Sequence, residues 1–323
     1  MISIIIATRD RAPLLRDTLG ALARQRDPGT PVEVMIVDNA SVDGTRDVVT
    51  DAATTMPWPV LYLYEARPGK SHALNSALEL VRGDLLVFTD DDVLPDPGWL
   101  AAYADALAQT GADYAVGRIL PLWEAPPPSW MSPALYGVLA VPDGGTQRLV
   151  IADAMNDEIM PLGANMAVRR HVIDRIGGWD TDLGKLQGTL RTGEDHEFAL
   201  RMSSNGFVGV YEPLASVQHR VPAERLQLSY FQRWFYDNGG VEASLEDRYP
   251  TTATYLCRVP RHLWRESLGE VLGLAAAAAT LNRASIVARW MRLAWLAGYV
   301  RTRWHRPASS PAPGAPNRTA ELT

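Results

Sequence analysis

The sequence predicts an α/β protein built on a mostly parallel sheet flanked by helices, with a helical C-terminal extension. Two observations carry this. Short apolar runs alternate with amphipathic segments through the first third of the 323 residues, and a polar cluster follows each run. Strands alternating with helices imply βαβ units, and such sheets bind ligands beyond the carboxyl ends of their strands.

The elements follow in order. Ile2 to Ala7 reads as a buried strand, and Pro13 to Ala23 as a helix with Leu14, Leu15, Leu19 and Leu22 on one side. Val32 to Val37 is a second strand, ending in the turn Asp38-Asn39-Ala40-Ser41; a helix begins near Asp43, which can cap it. Val60 to Tyr64 and Leu85 to Thr89 are further strands, separated by a helix over Ser71 to Val81. Polar clusters at Thr8, Asp38, Glu65 and Asp90 therefore fall at one sheet edge. Asp113 to Leu122 predicts another strand, and the Pro-rich loop after Trp123 ends it. From Pro126 to about Pro161 there is no clear periodicity beyond a short strand at Leu149 to Ile151. Gly163 to Val168 follows, then helices over Arg170 to Ile176 and Glu194 to Ser203, and short strands at Phe207 to Tyr211 and Ala215 to Val217. Leu263 to Arg303 is helix-rich, and the last 18 residues are rich in Pro, Ala and Ser, a composition expected to be disordered.

Composition narrows the function classes. Apolar residues at 47% and charged residues at 21% suit a globular domain, and a net charge of -6 argues against a dedicated nucleic-acid binder. Cys257 stands alone, which excludes an intrachain disulfide and a thiolate metal cage and suits a reducing cytosol. The apolar N-terminus has no preceding basic segment or small-residue cleavage site, so a first strand is expected rather than a signal peptide. No uncharged apolar stretch reaches the ~20 residues that span a bilayer.

Asp90-Asp91-Asp92 is the sharpest chemical signal. Three adjacent carboxylates repel one another unless a cation neutralises them, and Mg²⁺ or Mn²⁺ binds through one or two carboxylates plus substrate phosphates. A solvated acidic turn is the competing reading. Asp38 could accept from a base or ribose, or form an Asx turn. The run RPGKS lacks the first glycine of a Walker A loop, but Arg67, Gly69 and Lys70 could still meet a pyrophosphate at a helix start. Glu194-Asp195 opens a helix, where carboxylates are favoured by the dipole; the functional reading makes one of them a general base. His219 closes a strand as a lone histidine. Trp123, Trp130 and Trp179 could stack on a sugar or fill the core.

Together the pieces IIIATRDR, IVDNAS, RPGKSHALNSAL, LVFTDDDVLPDPGWL, LGANMAVRR, IGGWDTDLG, TGEDHEFALRM and VQHRVPAERL, in this order over about Met1 to Gly240, resemble glycosyltransferase family 2. These are inverting enzymes with a GT-A fold, a Rossmann-like sheet flanked by helices. The resemblance implies a nucleotide-sugar half over residues 1–122 and an acceptor-binding and catalytic half over 123–240; propensity and composition add a helical extension over 241–305 and a disordered tail over 306–323. It implies donor contacts from Thr8, Arg9, Asp38, Asn39, Arg67, Lys70, Asp90, Asp91 and Asn165, with Asp38 on the base and Asp91 near the donor sugar. It implies an Asp-x-Asp motif at Asp90 and Asp92 with Mg²⁺ or Mn²⁺ at Asp92, and a further metal or pyrophosphate contact at His219. Asp195 matches the catalytic base, with Glu194 beside it. The departures, in LGKLQGTLRTGED and in the irregular 126–161 segment, bear on the acceptor pocket more than on the donor site.

The activity so implied is transfer of a sugar from a nucleoside-diphosphate sugar, a UDP-sugar first among donors, to a hydroxyl of a glycan, a lipid-linked or a small-molecule acceptor. Two alternatives stand beside it: a sugar-phosphate nucleotidyltransferase, which would want a Gly-rich loop where Ala7-Thr8-Arg9-Asp10 stands, and a non-catalytic nucleotide- or glycan-binding module. Trp264, Trp290, Trp295 and Tyr299 lie among Arg283, Arg289, Arg292, Arg301 and Arg303. That mixture suits either peripheral contact with the inner membrane face of a cytoplasmic protein or helices packed internally or in a homodimer contact.

Overall fold

Ile2–Thr8 (β1) carries four consecutive isoleucine or serine positions that are fully buried, as expected of a strand covered on both faces. The structure is a computed structural model and describes residues 1–155, 159–184, 189–249 and 253–305. The expected tail over 306–323 and part of the departing LGKLQG segment lie outside the described residues.

After β1 come α1 (Ala12–Leu22), β2 (Val32–Asp38), α2 (Thr45–Thr55), β3 (Val60–Tyr64), α3 (Lys70–Leu78) and β4 (Leu85–Thr89). Pro13 sits in the first turn of α1, where its missing N–H costs nothing, and Leu15, Leu19 and Leu22 are its buried stripe. Asp43 accepts from the backbone N–H of both Ala12 and Thr45, so one carboxylate ties the starts of α1 and α2 together. Next are β5 (Val93–Pro95), α4 (Trp99–Thr110), β6 (Tyr114–Trp123), β7 (Leu149–Ile151), β8 (Asn165–Arg169), α5 (Arg170–Ile176), α6 (Glu194–Ser204) and β9 (Gly209–Val221).

The strands form one sheet in the order β3-β2-β1-β4-β8-β6-β9-β5, with β7 added on β9. Pairing is parallel across β3, β2, β1 and β4, where each crossover carries a helix. Beyond β4 it is mixed: β8 runs antiparallel to β4 and β6, whereas β6 and β9 are parallel. The mostly parallel pattern read from the sequence thus describes the first half. Its core joins Val37, Phe88, Met166, Trp179, Phe198 and Met202, and each such side chain fully buried is worth about 1.5–3 kcal/mol.

Two segments differ from expectation. The short strands at 207–211 and 215–217 are one strand, β9, which pairs with β6 on both sides of a register shift. Glu212 and Pro213 lie at that irregularity, and they interrupt the apolar run that would have marked a single strand. The irregular 126–161 segment also contains a 3₁₀ turn at Pro133–Leu139 as well as β7.

The described chain divides into two compact units, Met1–Tyr230 and Phe231–Thr323. The second contains most of α7 (Leu228–Arg248), the hairpin of β10 (Tyr255–Leu256) and β11 (Val259–Pro260), α8 (Arg261–Ala279) and α9 (Arg283–His305). The expected helical extension begins at residue 241, whereas α7 already begins at Leu228. The structure supplies the reason for Gly239. A Cβ there would stand 2.0 Å from the Trp295 carbonyl oxygen, and one at Gly298 1.9 Å from that of Tyr236, so α7 and α9 cross backbone to backbone. Among the described residues no helix is long and apolar enough to cross a membrane.

Candidate active site

Parallel register brings the ends of β1, β2 and β3 level: Thr8 pairs with Asp38, and Asp38 with Tyr64. Asn39 and Glu65 then extend the ladder by donating their N–H groups to Thr8 and Asp38. The loop leaving β3 is built by two side chains. Asn39 donates to the carbonyls of Glu65 and Arg67 and accepts from the Gly69 N–H (2.8 Å), which fixes the backbone leading into α3. Glu65 accepts from the Arg67 backbone N–H and from its guanidinium at 2.7–2.9 Å. Those bonds, with one from Ser76, hold the Glu65 carboxyl well below the usual range. Gly69 has φ of 124°, a conformation that side-chain-bearing residues rarely adopt. Asn39 therefore acts on this edge through the loop it holds. Arg67 stands largely in solvent.

Asp38 accepts from the Ser41 N–H (2.8 Å) and the Tyr62 hydroxyl (2.7 Å) and is buried. The Asx-turn reading of IVDNAS is thus present in the fold, and the base-binding reading has to work beside it. Arg9 is exposed, with its guanidinium 3.6 Å from Asp10.

The three aspartates after β4 diverge. Asp90 ion-pairs with Lys70. Burial opposes the lysine charge, but Asp90, Asp195 and Glu194 outweigh it and raise the Lys70 pKa, so it stays protonated. Asp91 turns inward instead of toward an open donor position. It accepts from the Thr8 hydroxyl (2.7 Å) and from Arg11 (2.9 Å), and burial pushes its pKa up. The same Arg11 nitrogen reaches Asp92 at 3.1 Å. Arg11 had no assignment from sequence, although a cation three residues beyond β1 stands at the edge where the acidic cluster falls.

Asp92 has 4% exposure and meets His219, 3% exposed, with Asp92 Oδ1 3.4 Å from His219 Nε2. Their proximity is tertiary: β5 pairs with β9 so that Val93 lies opposite His219. Burial would raise the Asp92 pKa, but His219, Arg11 and Arg225 hold it well below the usual range. Asp92 Oδ1 and His219 Nδ1 are buried atoms without a hydrogen-bond partner among the described residues. One ligand atom from each of Asp90, Asp92 and His219 lies within 4.8 Å of the others. Two carboxylates and an imidazole, with buried acceptors left over, suit Mg²⁺ or Mn²⁺.

Asp195 stands in the first turn of α6. Its carboxylate accepts from the Gly163 N–H (2.9 Å) and from Trp179 Nε1 (3.3 Å). A methyl at Gly163 would lie 3.2 Å from Asp195 Oδ1 and 3.3 Å from Lys70 Nζ, so the Lys70–Asp90 pair and Asp195 converge on one point. Burial raises the Asp195 pKa against the pull of Lys70. Glu194 is buried beside it, packed on Gly184. Trp179 belongs to the core as well: its ring stacks on Phe198 at 4.6 Å and meets Phe88 edge-on. Trp123 packs edge-on against Tyr136, away from full burial.

Asn165 departs from its expected donor role. It is fully buried, and Oδ1 accepts from Trp99 Nε1 (2.7 Å) and the Tyr103 hydroxyl (2.6 Å) while Nδ2 donates to the carbonyls of Arg118 and Ala215. Four bonds exhaust the amide, so its side chain joins α4, β6 and β9 instead of reaching a ligand. A buried polar group left unpaired costs about 1–3 kcal/mol, so Asn165→Leu is expected to lose more than about 3 kcal/mol in urea unfolding. A loss below about 1 kcal/mol would show that water replaces the network.

Residues 3–133 match the model of glycosyl transferase family 2, and residues 85–302, two thirds of the chain, match that of glycosyl transferase family group 2. The chain belongs to glycosyltransferase family 2. Both matches include the three aspartates, and the second also includes Asp195 and His219. Similar proteins include the glycosyltransferase AglE of Haloferax volcanii, 23% identical over 64% of this chain and 62% of that one. The glucosyl-dolichyl phosphate glucuronosyltransferase of the same organism is 24% identical over 62% of this chain and 63% of its own. This family 2 glycosyltransferase thus spans less than two thirds of the length of these curated relatives. Among solved structures, the mannosyltransferase PcManGT of Pyrobaculum calidifontis, in complex with GDP-Man and Mn²⁺, aligns with a TM-score of 0.63 at 24% identity, covering 95% of this chain and 88% of that one. The likeness shows a GT-A fold. Family membership displaces the nucleotidyltransferase read as an alternative from the sequence.

Proposed function

We propose that this family 2 glycosyltransferase moves a sugar from a nucleoside-diphosphate donor to an acceptor hydroxyl with inversion at the anomeric carbon. The observation that carries the reading is the buried pair Asp92–His219, with polar atoms left unpartnered beside Asp90. These residues would hold Mg²⁺ or Mn²⁺, which would supply Lewis-acid stabilisation of the charge on the departing diphosphate.

The rest is the work of the protein's own groups. Lys70, kept charged by its carboxylate neighbours, offers a cation to the diphosphate as that group leaves. Asp195 takes the proton of the acceptor hydroxyl as its oxygen attacks from the face opposite the leaving group. The Gly163 and Trp179 N–H groups orient that carboxylate, and its raised pKa makes it a stronger base than a solvated aspartate. One displacement requires no covalent intermediate, hence inversion. Thr8, Asp38 and the loop of Arg67 form the edge on which the nucleoside would rest, with Arg9 the exposed cation nearby.

Thermal-shift measurements with UDP-, GDP- and dTDP-sugars and Mn²⁺ test the donor class. UDP-sugars are the first candidates, and GDP-mannose competes because the Pyrobaculum mannosyltransferase was solved with it. The expected result is a rise in Tm with one nucleotide family, equivalent to about 2.7 kcal/mol at a hundredfold excess over Kd. Stabilisation by none of them, with or without Mn²⁺, would refute the donor reading.

A further inference from the structure

The second unit presents a surface that sugar transfer does not require. On α8, Leu268, Val271 and Leu272 are 63%, 52% and 63% exposed, and Ala275, Ala276 and Ala279 are exposed beside them. At 100° per residue these positions share one stripe. The opposite face is occupied: Leu263 and Ala277 are buried, and Glu266 and Glu270 pair with Arg292 and Arg289 of α9. The stripe ends in charge. Arg261 and Arg265 lie on its angle at the N-terminal end, while Leu281, 82% exposed, and Arg283 follow its C-terminal end.

Arg261, Arg265 and Arg283 are exposed and make no ion pair among the described residues. Residues 249–305 carry eight arginines against two glutamates in a chain whose net charge is -6. Of the α9 residues that sequence singled out, Arg283 and Trp290 are exposed, whereas others are engaged within the unit. Tyr299 is buried, Trp295 stacks on it under Arg292, and Arg289 and Arg292 are engaged by α8.

We propose that the exposed face of α8 docks on an anionic lipid surface, its apolar stripe at the acyl boundary and its terminal arginines among the headgroup phosphates. The stripe is too short to span and has the amphipathic form of a helix lying in the interface plane. Charge complementarity selects this occupant over a second copy of the chain. Arginines stand at both ends of the stripe, so pairing two copies face to face, parallel or antiparallel, sets like charges together. Glu266 and Glu270 face α9 and cannot relieve them.

The test is flotation of the full chain with vesicles of phosphatidylcholine alone or doped with phosphatidylglycerol, at low and high salt. Recovery is expected with the doped vesicles at low salt and is expected to fall with salt. Replacing Arg261, Arg265 and Arg283 together with glutamine should lower partitioning on the order of 100-fold. Leu268→Glu with Leu272→Glu should lower it at least about tenfold. All five positions are exposed, so Tm and the nucleotide-induced shift should stay as in the wild type, which separates failure here from failure of the donor reading. Equal recovery from both vesicle types, recovery from neither, or a dimer in sedimentation that Leu272→Glu dissociates would overturn the proposal.

Discussion

Replacing Asp92 with alanine is expected to abolish metal-dependent binding of a nucleoside diphosphate. Asp92 is the most deeply buried carboxylate of the candidate cation site, and its environment keeps it ionised although burial opposes that state. Among the described residues His219 Nδ1 is buried without a hydrogen-bond partner and Asp92 Oδ1 has only His219 Nε2 at 3.4 Å, a cost that native proteins seldom leave standing. A metal ion and the diphosphate would relieve it together. Loss of an outer-shell partner typically weakens a metal site 10–100-fold, so loss of a direct ligand should weaken it at least roughly 100-fold. Calorimetry of Mn²⁺ and nucleoside diphosphate against wild type, Asp92→Ala and wild type in EDTA measures this directly. Diphosphate affinity that is the same in all three would remove the cation from the reading. Asp92→Asn is the companion variant: it keeps the shape against Arg11 and His219 while discarding the charge, and should bind metal almost as poorly while unfolding near the wild-type temperature.

The second large effect is expected at Asp195. Asp195→Asn leaves an oxygen to accept from the Gly163 N–H, so the first turn of α6 should keep its geometry. Proton acceptance is removed together with one of the charges that support Lys70, and loss of a general base typically costs ~10²–10⁴-fold in turnover. Donor affinity should persist, because the cation site is built from other residues. The pH profile carries a second signature. The folded protein raises the Asp195 pKa through burial, so the carboxylate takes up its proton at higher pH than a free aspartate. Turnover should therefore fall on the acid side with an apparent midpoint above that of an ordinary aspartate, and that limb should vanish from any residual activity of Asp195→Asn. The midpoint belongs to Asp195 together with Lys70 and Asp90, which share its field. Turnover equal to the wild type would remove Asp195 from the chemistry.

How much of this could be read before the fold was seen depends on how local each signal is. The strands from Ile2, Val32, Val60 and Leu85 were legible because a strand buried on both faces is an unbroken apolar run, and the helices between them keep a 3.6-residue stripe. The acidic cluster was legible for the same reason: three aspartates after such a run must stand at the carboxyl edge. The start of α7 before residue 241 was not: Gly239 lowers helix propensity, and its place in a helix rests on the close approach of Trp295.

What each polar side chain faces was settled by partners distant in sequence. Asp91 turns to Thr8 and Arg11, about eighty residues away, and Asn165 meets Trp99 and Tyr103 instead of a ligand. His219 reaches Asp92 because β5 pairs with β9. The sequence by itself determined which residues form strands and helices and at which sheet edge the carboxylates gather, because periodicity and strand ends are properties of neighbouring residues. Only the tertiary structure decided that Arg11 pairs with both Asp91 and Asp92, that Lys70 pairs with Asp90, and that Asp92 also stands against His219. Those pairings follow strand order and register, which arise when segments far apart along the chain pack together.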